Sequence, residues 1–150
     1  MPRKNKKLPR HLLVIRTSAM GDVAMLPHAL RALKEAYPEV KVTVATKSLF
    51  HPFFEGLDVG FLDIETRRTH RGIRGAIRFA REAAELKIDA VADMHNVLRS
   101  KMVRAALHLR GIPVSVIHKG RIEKYMRLGR GSEGVKPLKH TVIRYCDVFR

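Results

Sequence analysis

The 150-residue sequence has little of what marks many functional classes. Its one cysteine, Cys146, cannot form a disulfide within the chain, which excludes a disulfide-stapled scaffold and fits a reducing compartment. It has no tryptophan, three tyrosines and six phenylalanines, so aromatic surface for stacking on nucleobases is scarce. No apolar run reaches the roughly 18 residues that suggest a membrane span. The basic N-terminus is not followed by the apolar segment of a secretory signal. The eight histidines are scattered without an H-x-x-x-H pair, so no metal site is expected. Neither a G-x-x-x-x-G-K-[ST] loop nor an Asp-x-Asp pair occurs. Gly129-Arg130-Gly131-Ser132-Glu133-Gly134 spells G-x-G-x-x-G, but no strand precedes it and Pro137 follows closely. It reads as a flexible loop rather than a dinucleotide fingerprint, and no cofactor is expected. Acidic residues are also few. Fourteen Asp and Glu against thirty Lys and Arg leave a net charge of +16, which calls for an anionic partner: nucleic acid, an acidic membrane surface or a phosphorylated substrate.

What is present is an alternation of short apolar runs and helical periods. Residues 1–11 read as a basic disordered tail, and residues 12–150 as one domain. The run LLVIR, 12–16, suits a buried parallel strand, and the small polar loop TSAMGD, 17–22, leads into a helix. In that helix Val23, Leu26, Leu30, Leu33 and Tyr37 share a face, Asp22 stands where an N-cap belongs, and Pro38 stops the helix. Residues 40–46 and 59–64 read as strands, with a short helix over 51–57 between them. A helix over 71–86 places Ile73, Ile77, Ala80 and Ala84 on one face, beside a stripe of Arg71, Arg74, Arg78 and Arg81. A buried strand over 88–94 precedes a helix in which Leu98, Met102, Ala105 and Leu109 share a face and Gly111 ends the last turn. Residues 113–117 make a fifth strand, 118–138 a basic loop region and 139–149 a final helix. Strands alternating with helices build right-handed βαβ units. The expected fold is therefore α/β, a Rossmann-like, doubly wound, mostly parallel sheet.

Ligands of such folds bind beyond the carboxyl ends of the strands, and two polar segments lie there. The first is Thr17, Ser18, Ala19, Met20, Gly21 and Asp22. Its small residues let a ligand approach the backbone, and the helix behind offers free N–H groups. There Asp22 could serve as a general base, or simply cap the helix. The second is Asp93, His95, Asn96, Arg99 and Ser100, after the buried strand, where Asp93 or Asn96 could equally cap the next helix. A third group is basic: Arg67, Arg68, His70, Arg71 and Arg74, then His118, Lys119, Arg121 and Lys124. Arginine suits bidentate phosphate binding, although any single one could be ordinary solvated surface.

The string I-R-T-S-A-M-G-D-V, with Leu30, Arg31, Leu33, Lys34 and Tyr37-Pro38 in and after its helix, resembles the opening of glycosyltransferase family 9, the lipopolysaccharide heptosyltransferases. The segment with His95, Asn96, Arg99 and Ser100 is similar to a second stretch of that family. The resemblance implies the N-terminal half of a GT-B glycosyltransferase, with a C-terminal donor domain absent from these 150 residues. By the same resemblance Asp22 would be the catalytic base of an inverting transfer. Thr17, Ser18, Met20, Gly21, Arg67, Arg68, Arg71, Asp93, His95, Asn96, Arg99, Ser100 and Arg121 would contact the acceptor or support the loop. The implied partners are a phosphorylated lipopolysaccharide-core acceptor and a nucleotide-sugar donor such as ADP-heptose. The implied place is the cytoplasm, at the inner face of the inner membrane. A basic nucleic-acid-binding domain, or a non-catalytic fragment of this fold, is the alternative; nucleic acid explains the charge but not the small-residue loop ending in Asp22.

Overall fold

The computed structural model describes residues 8–65, 67–118 and 139–149. At its centre β1 (His11–Ile15) is buried along its whole length, because helices cover the sheet on both sides. Helix α1 (Met20–Ala36) leads to β2 (Lys41–Thr46), and a 3₁₀ segment (Ser48–Phe54) leads on to β3 (Gly60–Asp63). Helix α2 (Gly72–Glu85) then crosses back to β4 (Ala90–Asp93), and α3 (Leu98–His108) leads to β5 (Val114–Val116). Helix α4 (Thr141–Phe149) completes the described chain. The five strands are all parallel, in the order β3-β2-β1-β4-β5. The expected doubly wound fold is the observed one, with the order of strand addition reversing between β1 and β4.

Alternation along β1 divides the core. Leu12 and Val14 pack with Val23, Leu26 and Leu30 of α1 and Tyr145 of α4; Leu13 and Ile15 pack with Phe79 and Ala80 of α2 and Val103 and Leu107 of α3. Each large apolar side chain taken fully from water contributes about 1.5–3 kcal/mol. β2 alternates apolar and polar residues in sequence, yet after Lys41 it is buried on both faces, Thr43 and Thr46 included, since it lies inside the sheet.

Several local expectations need correction. The tail does not extend to residue 11: His11 opens β1, and the carboxylate of Asp89 accepts from the backbone N–H of Arg10 at 2.9 Å and of His11 at 3.0 Å. Residues 1–7, Arg121 and the glycine motif at 129–134 lie outside the described residues. Asp22 is not an N-cap: α1 starts at Met20, Ala19 holds the cap position, and Asp22 is the third residue of the first turn. Helix α2 has the expected period but a different phase. Ile73 and Ile77 are 68% and 46% exposed, while Gly75, Ala76, Phe79, Ala80 and Ala83 face the core. In α3 likewise, Leu98 is exposed, as are Ala105 and Leu109, and Ser100, Val103 and Leu107 are buried. Gly111 does end the helix region as expected. Its φ of 77° allows a Schellman closure in which its N–H donates to the His108 carbonyl at 2.8 Å and that of Ile112 to Leu107 at 3.2 Å.

The buried His11 makes folding pH-dependent. The Leu86 carbonyl, 3.0 Å from Nδ1, can only accept, so Nδ1 carries the proton and Nε2 accepts from the Thr43 hydroxyl at 2.8 Å. Burial lowers its pKa from 6.5, outweighing the bond to Leu86; Lys41 adds to the lowering and Asp89 opposes it. The unfolded chain therefore takes up this proton at a higher pH than the folded chain. The stabilisation is complete above the unfolded value and is lost as pH falls through the folded one. Urea denaturation at about pH 7.5 and about pH 5 should show the parent losing more stability on acidification than His11→Gln. Equal losses in both proteins would contradict this account.

Candidate functional site

The carboxyl ends of β1 and β4 lie side by side at the reversal point, which brings the two polar loops together. Arg16, just after β1, is buried and organises one side of the junction. One guanidinium nitrogen donates to the Met94 carbonyl after β4; the other forms an ion pair with the Asp22 carboxylate. The guanidinium carbon lies 6.0 Å from the centre of the Tyr145 ring, and Nε is buried with no hydrogen-bond partner among the described residues. The Tyr145 hydroxyl donates to the backbone carbonyl of Asp22 at 3.0 Å. Burial pushes the Tyr145 phenol up to about 12, with Arg16 opposing and Asp22 adding to the rise, so it remains a donor. β1, α1, β4 and α4 thus converge on Asp22, whose side chain is 44% exposed. The positive end of α1 favours a carboxylate in this first turn.

The loop after β4 is held by Asp93, which is fully buried. Its Oδ1 accepts from the N–H groups of His95 at 2.9 Å and Asn96 at 2.8 Å, and Arg104 reaches Oδ2 at 3.3 Å. Asn96 has φ of 47°, a left-handed conformation that asparagine and glycine tolerate, and its amide donates to the Ile117 carbonyl at 3.3 Å. The Ser100 hydroxyl, also buried, accepts from the Val97 N–H at 3.0 Å and secures the start of α3. The geometry thus gives Asp93, Asn96 and Ser100 work in shaping the loop.

That shape presents His95 to the first loop. Its Nδ1 lies 3.0 Å from the Thr17 hydroxyl and its Nε2 3.1 Å from that of Ser18. These three residues, with Arg99 and Ser100, line a cavity of about 100 Å³ between the sheet, α2 and α3. Lys47 and His70 also line it. His70 is buried: it accepts from the Glu65 N–H at Nδ1, 3.1 Å away, which leaves the proton on Nε2 to donate to Glu82 at 2.9 Å. Burial alone would raise the Glu82 carboxyl, but hydrogen bonds from His70 and Arg78 outweigh it and leave it below its usual range.

Met20 and Gly21 are exposed at the start of α1, and Asp22 does not line this cavity. Arg67, Arg68 and Arg71 are exposed in and after the turn before α2 and do not line it either. Arg16, Tyr145 and Lys47 are not among the residues expected at the site; His70 is, as a member of the basic group before α2. Arg16 and Tyr145 carry no local signal, because their importance comes from elements far apart in sequence. Among the described residues no group of three or more His, Cys, Asp or Glu could hold a metal ion, and no helix is long and apolar enough to cross a membrane.

No family model and no curated protein matches the sequence. Solved structures do. The glycosyl transferase family 9 protein of Veillonella parvula DSM 2008 matches with a TM-score of 0.69 at 16% identity, over 93% of this chain and 40% of its own. E. coli heptosyltransferase WaaC, solved with ADP, matches with a TM-score of 0.60 at 25% identity, over 93% of this chain and 45% of its own. E. coli ADP-heptose lipopolysaccharide heptosyltransferase II matches with a TM-score of 0.63 at 20% identity, over 93% and 40%. The chain is a glycosyltransferase-like α/β domain with the fold of one Rossmann-like half of a GT-B enzyme. Within that class its resemblance is to glycosyltransferase family 9 and the heptosyltransferases, and it spans less than half the length of each of those three chains.

Proposed function

We propose that this chain is the acceptor-binding, base-carrying half of an inverting glycosyltransferase that transfers a sugar, by resemblance heptose, from a nucleotide-sugar to the lipopolysaccharide inner core. The observation that carries the reading is Asp22: a half-exposed carboxylate at the strand reversal point, fixed through Oδ2 by a buried arginine. In the reaction the Asp22 carboxylate takes the proton of an acceptor hydroxyl. That oxygen forms a bond to the anomeric carbon from the face opposite the leaving group. The bond from the anomeric carbon to the nucleotide's terminal phosphate oxygen breaks, and the nucleoside diphosphate departs with the electron pair. A donor-binding half supplies the nucleotide-sugar. A cytoplasmic location, with peripheral contact at the inner membrane face, belongs to the same proposal. The nucleic-acid alternative is not favoured, since the matching structures named above are glycosyltransferases.

The test is ADP release from ADP-heptose by the native protein containing this sequence, with and without a heptose-free, phosphorylated core acceptor. Acceptor-dependent release is expected; none, from this or any other nucleotide-sugar, would overturn the reading. The 150-residue chain alone is expected to give no measurable turnover, because positioning the two substrates requires both halves.

A further inference from the structure

The cavity on the α2–α3 side of the sheet does not contain Asp22, and its lining has a chemistry of its own. Among the described residues no carboxylate lines it. Two cations do, Lys47 from the end of β2 and Arg99 from the first turn of α3, and neither is ion-paired among the described residues. Arg78, by contrast, is paired to Glu82, and Arg104 to Asp93. Thr17 and Ser18 add hydroxyls. With a neutral imidazole between them, one hydroxyl gives its hydrogen to the His95 ring and the other accepts the ring N–H, which leaves that second hydroxyl's own hydrogen to offer elsewhere. Ile15, Phe79 and Val103 are among the apolar residues of the lining, so water screens the two charges less than on an open surface. The start of α3, an 11-residue helix, turns its positive end to the same space.

We propose that this cavity is a phosphate-binding subsite, with Lys47 and Arg99 as its charges and the Thr17–His95–Ser18 relay as its neutral donor. That the phosphoryl group belongs to the sugar acceptor rests on the transferase reading above; the affinity for phosphate does not. Two cations, hydroxyl donors and a helix N-terminus suit a tetrahedral dianion better than a single-charge carboxylate. The Arg71–Arg81 stripe of α2 is a poorer candidate, because its arginines are exposed to solvent.

The experiment is a titration of this chain with inorganic phosphate, followed by amide NMR shifts at constant ionic strength, with acetate as the charge-only control. Saturable one-site binding is expected, with shifts centred on residues 17, 18, 47, 95 and 99, and acetate weaker by roughly tenfold or more. Lys47→Ala and Arg99→Ala should each weaken phosphate roughly tenfold while keeping the parent's thermal midpoint. Arg31→Ala, which removes an exposed charge from α1, should leave affinity unchanged. Non-saturable shifts spread over the basic surface, or equal losses in all three variants, would overturn the subsite. Phosphate binding as expected together with failure of the transferase assay would leave the subsite standing and remove only its assignment to an acceptor.

Discussion

Gly75→Ala should destabilise the protein by about 3 kcal/mol or more, or prevent it from folding. Two effects compete at this position. In an ordinary helix interior alanine is favoured over glycine by about 1 kcal/mol, so propensity alone predicts a gain. The added methyl, however, would sit 2.1 Å from the carbonyl carbon of His70, 2.6 Å from its Cα and 2.7 Å from its carbonyl oxygen. These are backbone atoms, and no side-chain rotation can relieve the contact. Relief requires α2 to move off the preceding turn, which would break the His70–Glu82 hydrogen bond and open the contact between Phe79 and the His70 ring. The clash therefore outweighs the propensity gain. For a chain of this size the thermal midpoint should fall by roughly 6–12 °C, taking 2–4 °C per kcal/mol. Gly21→Ala is the matched control: a Cβ there meets nothing within 4 Å and φ is not positive, so it should be neutral or stabilising. A Gly75→Ala protein as stable as the parent would mean that α2 does not lie this close to the turn.

The same close approach explains why the sheet and the buried face of α1 were legible in the sequence and the faces of α2 and α3 were not. Short β-branched runs ended by polar loops can hardly be read otherwise, and all five strands fell within a few residues of their expected positions. In α2 the largest aliphatic residues, Ile73 and Ile77, suggested the core face. A helix pressed against a turn and a neighbouring helix needs small residues there instead, and Gly75, Ala76, Ala80 and Ala83 provide them, with Phe79 as the single large contact. Hydrophobicity marked what prefers to leave water; proximity decided what fits. Leu98 and Leu109 were misplaced in α3 for the same reason, since Ser100 is buried to hold the start of the helix and Val103 and Leu107 fill the contact.

The candidate site divides along a similar line. Thr17, Ser18, His95, Arg99 and Ser100 meet at one cavity because they follow adjacent strands of a fold whose topology could be inferred. Lys47, after β2, meets there too, and nothing in its local sequence distinguishes it from surface charge; His70, before α2, belongs to the basic group expected to hold phosphate, and of that group's described members it alone lines the cavity. Arg16 was read as the last residue of a buried strand. Only the packed structure shows that its side chain passes under the junction to join Met94, Asp22 and Tyr145.

That arrangement shapes the second large prediction. In the native protein, Asp22→Asn should lower kcat for sugar transfer by about 10²–10⁴-fold, the usual contribution of a positioned general base. KM for the nucleotide-sugar should change little, because the donor is held elsewhere. Asparagine keeps the shape and can still accept from Arg16 but cannot take a proton. The substitution has a second consequence, since it leaves the guanidinium, whose side chain is only 8% exposed, without a counter-charge. Breaking a fully buried pair costs about 3–5 kcal/mol; here solvent reaches the carboxylate side, so the loss should be smaller. Activity and stability must therefore be separated. Arg16→Lys tests the ion pair: it keeps a cation under the junction but loses the fork that holds Met94 and Asp22 together. If Asp22 acts only as a structural partner, Asp22→Asn and Arg16→Lys variants of equal thermal midpoint should lose equal activity. If Asp22 takes the proton, the asparagine variant should be slower at matched stability, and Arg16→Lys should retain a substantial part of kcat. Full turnover with Asn at this position would show that the proton leaves the acceptor by another route.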